Sequence, residues 1–253
     1  MTEWFFWGDK KFLDVYGNIY LRTNVEDWFN IVKTIAKEFV GDDYLDIGCG
    51  EGHTTKQILD RISKKYVCDL IEPDKKALEY AKKYLRFENN IGKSFVSSLK
   101  NFKSYKKYDT IFTSHTNYYW AENVNDYDEQ LRKLLSLLKE DGKLLILTLP
   151  EDSHHYRIML KDVYPRFVFA EYIINFYKKL GLNVEVKKFN MNMFVGDILN
   201  TNSTYELKNF YRFIHNTKKS PTSAEEKKFL QKIEQNIKNG YLNFKDELII
   251  IKK

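Results

Sequence analysis

Two short stretches hold the residues whose types and spacing could do chemistry. The first is Asp46-Ile47-Gly48-Cys49-Gly50-Glu51-Gly52, three glycines at alternate positions behind an acid, with Glu72 further on. The second is Ser114-His115-Thr116-Asn117-Tyr118-Tyr119-Trp120. A glycine loop takes positive φ where needed and lets a ligand approach the backbone. A helix start behind it offers N–H groups with no intrahelical partner. A carboxylate such as Glu72, at a neighbouring strand end, accepts hydrogen bonds from both hydroxyls of a ribose. In the second stretch His115 can take a proton near neutrality, and the rings of Tyr118 and Tyr119 can face a cation.

Positioning these groups requires strands that end at one edge. The apolar run at 43–47 reads as a strand ending in the glycine loop, after an amphipathic helix over 25–40. Thr54–Ile62 reads as a helix, Tyr66–Ile71 as a strand ending at Glu72-Pro73, Asp74–Leu85 as a helix and Gly92–Ser97 as a strand. Tyr108–Ser114 is a fourth strand. A helix marked by Tyr127, Leu131, Leu134 and Leu138 is expected to stop at Asp141-Gly142, before a strand over Lys143–Leu149. Alternating strands and helices predict a parallel sheet covered on both faces. Beyond it, 151–181 reads as mostly helical, Asn183–Phe189 as a strand, and 204–215 and 223–239 as helices. Ser223 with Glu226 is expected to form a capping box, Gly240 to end the last helix, and Phe244–Ile251 to add a strand. One domain over 1–253 is expected, with a helical, substrate-side elaboration within 151–240.

In an open parallel sheet, ligands bind beyond the C-terminal strand ends. A dinucleotide fingerprint would need glycine or alanine at position 53, which is His53. No P-loop lysine is present. The loop suits a cofactor held by its amino-acid portion rather than by phosphate.

With Ile71-Glu72-Pro73, Tyr108-Asp109-Thr110-Ile111 and the Leu137, Lys139, Asp141, Gly142 turn, the chain resembles the class I S-adenosylmethionine-dependent methyltransferases over roughly residues 25–150. The resemblance implies an α/β, Rossmann-like fold with a mostly parallel seven-stranded sheet and S-adenosylmethionine as cofactor, with S-adenosylhomocysteine as its product. It implies a cofactor set of Asp46, Gly48, Cys49, Gly50, Glu72, Ser98 and Ser114, with Gly48 and Gly50 at the methionine portion, Glu72 on the ribose and Ser98 near the adenine. The Asn/Asp-Pro-Pro-Tyr/Phe motif of N6-adenine and glutamine methyltransferases is absent at the end of the fourth strand, which argues against those acceptors.

Over 12–251 the chain is also similar, more distantly, to the histamine N-methyltransferases. The segments Ser114–Trp120, Tyr156–Phe167, Leu180-Gly181-Leu182, Met191–Asp197 and Glu247–Ile251 carry that likeness. By it, His115 takes the place of a substrate-contacting glutamine, Tyr118 and Tyr119 match paired tyrosines, Tyr156 replaces a pocket tryptophan, and Glu26 lies near an amine-binding glutamate. His115, Tyr118 and Tyr119 are thus the expected catalytic residues. Tyr16, Tyr20, Glu26, His154 and Tyr156 are the expected substrate contacts. The expected reaction is in-line methyl transfer to a small molecule, with an amine or ring nitrogen favoured. The alternatives are O-methylation of a small molecule, methylation of RNA or protein, and non-catalytic binding of the cofactor.

Composition bounds these readings. The charge of +6 is spread over lysine pairs, with no arginine-rich block, so a nucleic-acid partner is not favoured. Two cysteines, Cys49 and Cys68, suggest a reducing, cytoplasmic setting without a disulfide. No signal peptide or membrane-length apolar run is seen, and His154 and His155 lack the companions a metal site needs. A monomer and a dimer are both compatible. The aromatics Trp4-Phe5-Phe6-Trp7, Phe12, Tyr16 and Tyr20 make 1–24 a candidate lid over the acceptor.

Overall fold

A computed structural model describes residues 25–86, 90–120, 123–154, 156–160, 169–196, 199, 204–214 and 219–253. The candidate lid, with Tyr16 and Tyr20, lies outside them, as do His155 and residues 161–168. Helix α1 (Val25–Glu38) leads into β1 (Asp43–Ile47), α2 (His53–Leu59), β2 (Val67–Glu72), α3 (Lys75–Tyr84) and β3 (Ile91–Val96). Then come β4 (Tyr108–Ser114), a 3-10 turn at Asn117–Tyr119, α4 (Val124–Leu137) and β5 (Leu138–Thr148). A π turn at Tyr156–Leu160, α5 (Ala170–Lys179), β6 (Asn183–Phe194), α6 (Thr204–Ile214), α7 (Ser223–Asn236) and β7 (Tyr241–Lys252) complete the order.

The seven strands form one sheet in the order β3-β2-β1-β4-β5-β7-β6. β7 alone runs opposite to the other six strands, so its pairs with β5 and β6 are antiparallel. This is the α/β, Rossmann-like sheet expected, and the central strands read as near-continuous apolar runs because both faces are covered. Alternation along each strand splits the core in two. Tyr44, Leu70, Phe112, Leu147 and Ile250 face α1, α2 and α3, while Leu45, Ile71, Ile111, Ile146 and Ile249 face α4 and α5.

Strands β1, β2 and β4 run parallel, so their C-terminal ends meet at one edge. Helix α1 runs against the strands. Its last residue, Glu38, binds Lys143 at 2.9 Å and Lys187 at 2.5 Å, near the start of β5 and of β6. Its first turn therefore reaches the ligand edge, about 20 Å away at 1.5 Å per residue.

Two expected boundaries are corrected. Asp141-Gly142 does not end α4, which stops at Leu137. The chain pairs Leu138 with Tyr108, then shifts register before Lys143 pairs with Thr110. Lys139, inside that bulge, bridges Asp43 at 2.7 Å and Asp109 at 2.9 Å. That tie draws the segment over the starts of β1 and β4, so the strand begins early. The capping box at α7 is Thr222 with Glu225, one residue before the expected pair: Glu225 donates its N–H to Thr222 Oγ1, and Thr222 donates its own to Glu225 Oε2. Gly240, at φ 82°, lies beyond the end of α7 in the turn into β7.

The β6–β7 ribbon is longer than the expected strands. Pairing with β5 stops at Thr148–Glu247, but β6 and β7 stay paired out to Phe194–Tyr241. The ribbon thus projects past the ligand edge. Met191, Met193, Leu242 and Phe244 bury its inner face with Leu207, Phe210, Phe229 and Ile233 of α6 and α7. The π turn and α5 lie within the part read as mostly helical. Among the described residues no helix is long and apolar enough to cross a membrane.

Candidate active site

The glycine loop is tied to β2. Gly48 and Cys49 donate their N–H groups to Ile71 O at 2.8 and 3.2 Å. Gly50 donates to Glu72 Oε2 at 2.9 Å, and Asp74 donates to Oε1 at 2.9 Å. Glu72 thus holds the loop of one strand and the helix start of the next. Burial raises its carboxyl above the usual range, against the pull of these two N–H groups. Asp46 is also buried, and accepts a 2.6 Å hydrogen bond from Thr55 Oγ1 in α2. Burial, with Glu72 nearby, pushes its carboxyl up to about 7 despite that bond.

The two glycines do different work. Gly48 has φ 77°, and a Cβ there would sit 2.3 Å from Thr116 Cγ2. Its missing side chain makes room for the loop after β4. Gly50 has φ 54°, and a Cβ there would meet nothing within 4 Å. Of these two, only Gly50 opens onto space a ligand can fill. Gly48→Ala is expected to cost about 1–3 kcal/mol through the left-handed backbone and the clash, read as a lowered Tm and partly relieved by Thr116→Ala. Gly50→Ala should weaken cofactor binding in calorimetry with a smaller loss of Tm. Equal effects of the two on affinity would contradict this division.

The remaining expected cofactor residues vary. Cys49 is buried, and burial pushes its thiol well above the usual range, so it packs the loop as a neutral group. Ser98 is half-buried just after β3 and caps a turn: its carbonyl accepts from Asn101 at 3.1 Å and Phe102 at 3.0 Å. Ser114 ends β4 opposite Leu147.

The acceptor side is built around the end of β4. His115 has φ 54°, a left-handed conformation uncommon outside glycine, and donates its N–H to Leu147 O at 2.9 Å. The 3-10 turn is anchored by buried Asn117, whose Oδ1 accepts from Thr148 Oγ1 at 2.8 Å. Tyr118 packs against the core and meets Tyr119 edge-on at 4.6 Å, while Tyr119 is 54% exposed. Tyr156 is half-buried against Phe169, ring centroids 4.4 Å apart. His154 accepts the Asn243 N–H through Nδ1 at 3.4 Å, and burial with Arg157 and Lys245 nearby lowers its pKa. It is thus pinned to β7 as a neutral ring. Glu26 is exposed in the first turn of α1, at the ligand edge but on its outer surface.

Three residues were missed in the sequence. Thr116 fills the space above Gly48. Asp246 lies 3.6 Å from His115 Nε2. Glu51, inside the glycine loop, is buried with His53 Nε2 at 3.4 Å. In the sequence Asp246 is one of three successive charged residues, Lys245-Asp246-Glu247, ahead of the apolar run Leu248–Ile251, and nothing there singles it out. Among the described residues no cluster of three or more His, Cys, Asp or Glu could hold a metal.

The methyltransferase-domain family model matches residues 20–194. A ubiquinone/menaquinone biosynthesis C-methyltransferase of Wigglesworthia glossinidia brevipalpis is 26% identical over 54% of this chain and 54% of its own length. A ubiquinone biosynthesis O-methyltransferase of Pelagibacter ubique is 30% identical over 61% of this chain and 58% of its own. The chain therefore spans about half the length of the curated relatives it matches. In fold it is similar to the N-methyltransferase NodS of Bradyrhizobium japonicum, solved with S-adenosylhomocysteine: TM-score 0.56, 13% identity, 97% of this chain and 99% of that one. These relatives do not carry the likeness to histamine N-methyltransferase. With the sheet order, the glycine loop and Glu72 at the next strand end, they show that the chain belongs to the methyltransferase-domain family, the class I methyltransferases that use S-adenosylmethionine.

Proposed function

We propose that this chain transfers a methyl group from S-adenosylmethionine to a small-molecule acceptor, with an amine or ring nitrogen favoured over a hydroxyl. The observation that carries the cofactor part is the Gly50–Glu72 hydrogen bond with open space over Gly50. The residues fit the cofactor. Each Glu72 oxygen accepts one backbone N–H and keeps a lone pair for a ribose hydroxyl, and Gly50 leaves room for the amino-acid portion. Ser98 stands at the neighbouring strand end for the adenine.

Bound there, the cofactor supplies a methyl group already activated on a sulfonium. The protein is left to place the acceptor and take its proton. His115 is the group for that proton, and the Tyr118 and Tyr119 rings, beside it in sequence and paired with each other, suit a cationic amine. A named C-methyltransferase and a named O-methyltransferase among the relatives leave the acceptor atom to experiment.

Calorimetry with S-adenosylmethionine and S-adenosylhomocysteine tests the cofactor assignment. Micromolar binding is expected, and its absence at high micromolar cofactor would sink it. Transfer of tritiated methyl to a panel of amines and phenols tests the acceptor. His115→Gln should lower kcat/KM by about 100-fold or more, in the range of a lost general base.

A further inference from the structure

Asp246 is not among the proposed cofactor residues, yet it is costly to bury. It is 1% exposed, and neither carboxylate oxygen has a hydrogen-bond partner among the described residues. A buried carboxylate needs an answering group to persist. The ionisable group the structure sets against it is His115, whose Nε2 lies 3.6 Å from Oδ2, within ion-pair reach though longer than a hydrogen bond.

Their meeting follows from the topology. His115 leaves the end of β4, and its backbone is held by Leu147 of β5. Asp246 is the residue of β7 just beyond the last pair with β5. Other polar groups at this corner are engaged elsewhere. Lys245 binds Asp152 and donates its N–H to Ser153 Oγ at 3.1 Å. Glu247, on the opposite face of the strand, binds Lys188 at 3.1 Å. His154 holds the Asn243 N–H. Across β6 the partner of Asp246 is Phe189, which is apolar.

We propose that Asp246 is a positioning residue for His115, holding the ring with Nε2–H toward the carboxylate so that Nδ1 is presented as the proton-accepting atom. This rests on His115 being the group that receives the acceptor's proton. A ring nitrogen that faces a carboxylate carries the hydrogen, which leaves the lone pair on the other nitrogen. Here that is Nδ1, a buried atom in this structure. His115 itself has φ 54°, in the left-handed region. In the step so arranged, the acceptor's proton passes to Nδ1. The pair it leaves on the acceptor forms the bond to the methyl carbon, and the carbon–sulfur pair stays on sulfur. Such a pair serves acceptors with a proton to give up: an ammonium, a phenol or an alcohol. A pyridine-type ring nitrogen, with no proton to lose, gains nothing from it.

The tautomer is readable without a substrate. Long-range proton–nitrogen spectra of the full chain, labelled with 15N-histidine and recorded at about pH 8, above the usual histidine range, report it directly. The His115 signal is assigned by its loss in His115→Gln. The Nε2–H form should dominate in the native protein and become mixed in Asp246→Ala. A dominant Nδ1–H form, or an unchanged ratio in Asp246→Ala, overturns the proposal, and the native spectrum decides even if the variant fails to fold. In methyl transfer to the amine and phenol panel, Asp246→Ala should lower kcat by about 10- to 100-fold with cofactor KM unchanged. It should cost nothing further in a His115→Gln background. Additive losses overturn the proposal. If His115→Gln keeps full activity, the reading of His115 falls and this proposal with it. If His115→Gln is crippled and Asp246→Ala is not, only the present proposal falls.

Discussion

Glu72→Ala is expected to lower the affinity for S-adenosylmethionine by at least about 100-fold. The reason lies as much in the empty protein as in the complex. Glu72 accepts the N–H groups of Gly50 and Asp74, one on each oxygen. Its removal strands two half-buried backbone donors at about 1–3 kcal/mol each, and every 1.4 kcal/mol is about tenfold in binding. The glycine loop loses its tie to β2 at the residue that opens onto the ligand space, and the ribose hydroxyls lose their acceptor. Glu72→Gln separates these effects. Its amide oxygen can serve one N–H, while its NH2 faces the other donor, so an intermediate loss is expected. Calorimetry with S-adenosylmethionine, alongside Tm, checks both variants. Near-native affinity in a folded Glu72→Ala protein would remove Glu72 from the cofactor site.

Asp46 gives the second large effect, on stability against pH. Its carboxyl is pushed from an ordinary aspartate value up to about 7, mainly by burial. A carboxyl raised in the folded state contributes fully below its unfolded pKa, and that contribution is lost as pH rises through the folded value. Stability should therefore fall between about pH 4 and 7, by about 1.4 kcal/mol for each pH unit crossed. The raised carboxyl of Glu72 acts in the same direction. Asp46→Asn keeps an oxygen for Thr55 and removes the charge. It should be more stable than the native protein at pH 8, and no more stable at pH 4. Urea unfolding at both pH values measures this. An Asp46→Asn protein that is less stable at pH 8 would show that the charged form is favoured where it stands. Such buried charge is commonly kept where function needs it.

The local devices of this protein were legible in its residues. Gly48 and Gly50 marked the turn, the apolar run before them marked β1, and Glu72 marked the end of β2. Asp74 was placed at a helix start, where its side chain accepts from Lys76 and Ala77. Tyr108–Ser114 matches the observed β4 bounds. These features depend on neighbours a few positions apart, so periodicity and turn chemistry suffice to find them. Boundaries that depend on a distant partner were misplaced, and so, by one residue, was the local capping box of α7. The start of β5 was set by Lys139 reaching Asp43 and Asp109, and nothing near Lys139 in the chain announces that.

The sequence by itself determined the fold class and the cofactor, because the glycine loop, Glu72 and the later strands follow one another in a recognisable order and spacing. Only the tertiary structure decided which glycine opens onto free space and which side chain lies against His115. Gly48 and Gly50 look alike in the chain; Thr116, folded over one and not the other, distinguishes them. Asp246 reads as one of three successive charged residues, and comes to face His115 only because β7 enters the sheet backwards beside β5. A side chain's chemistry follows from what is packed against it, and packing between segments far apart in the chain is set by the sheet order.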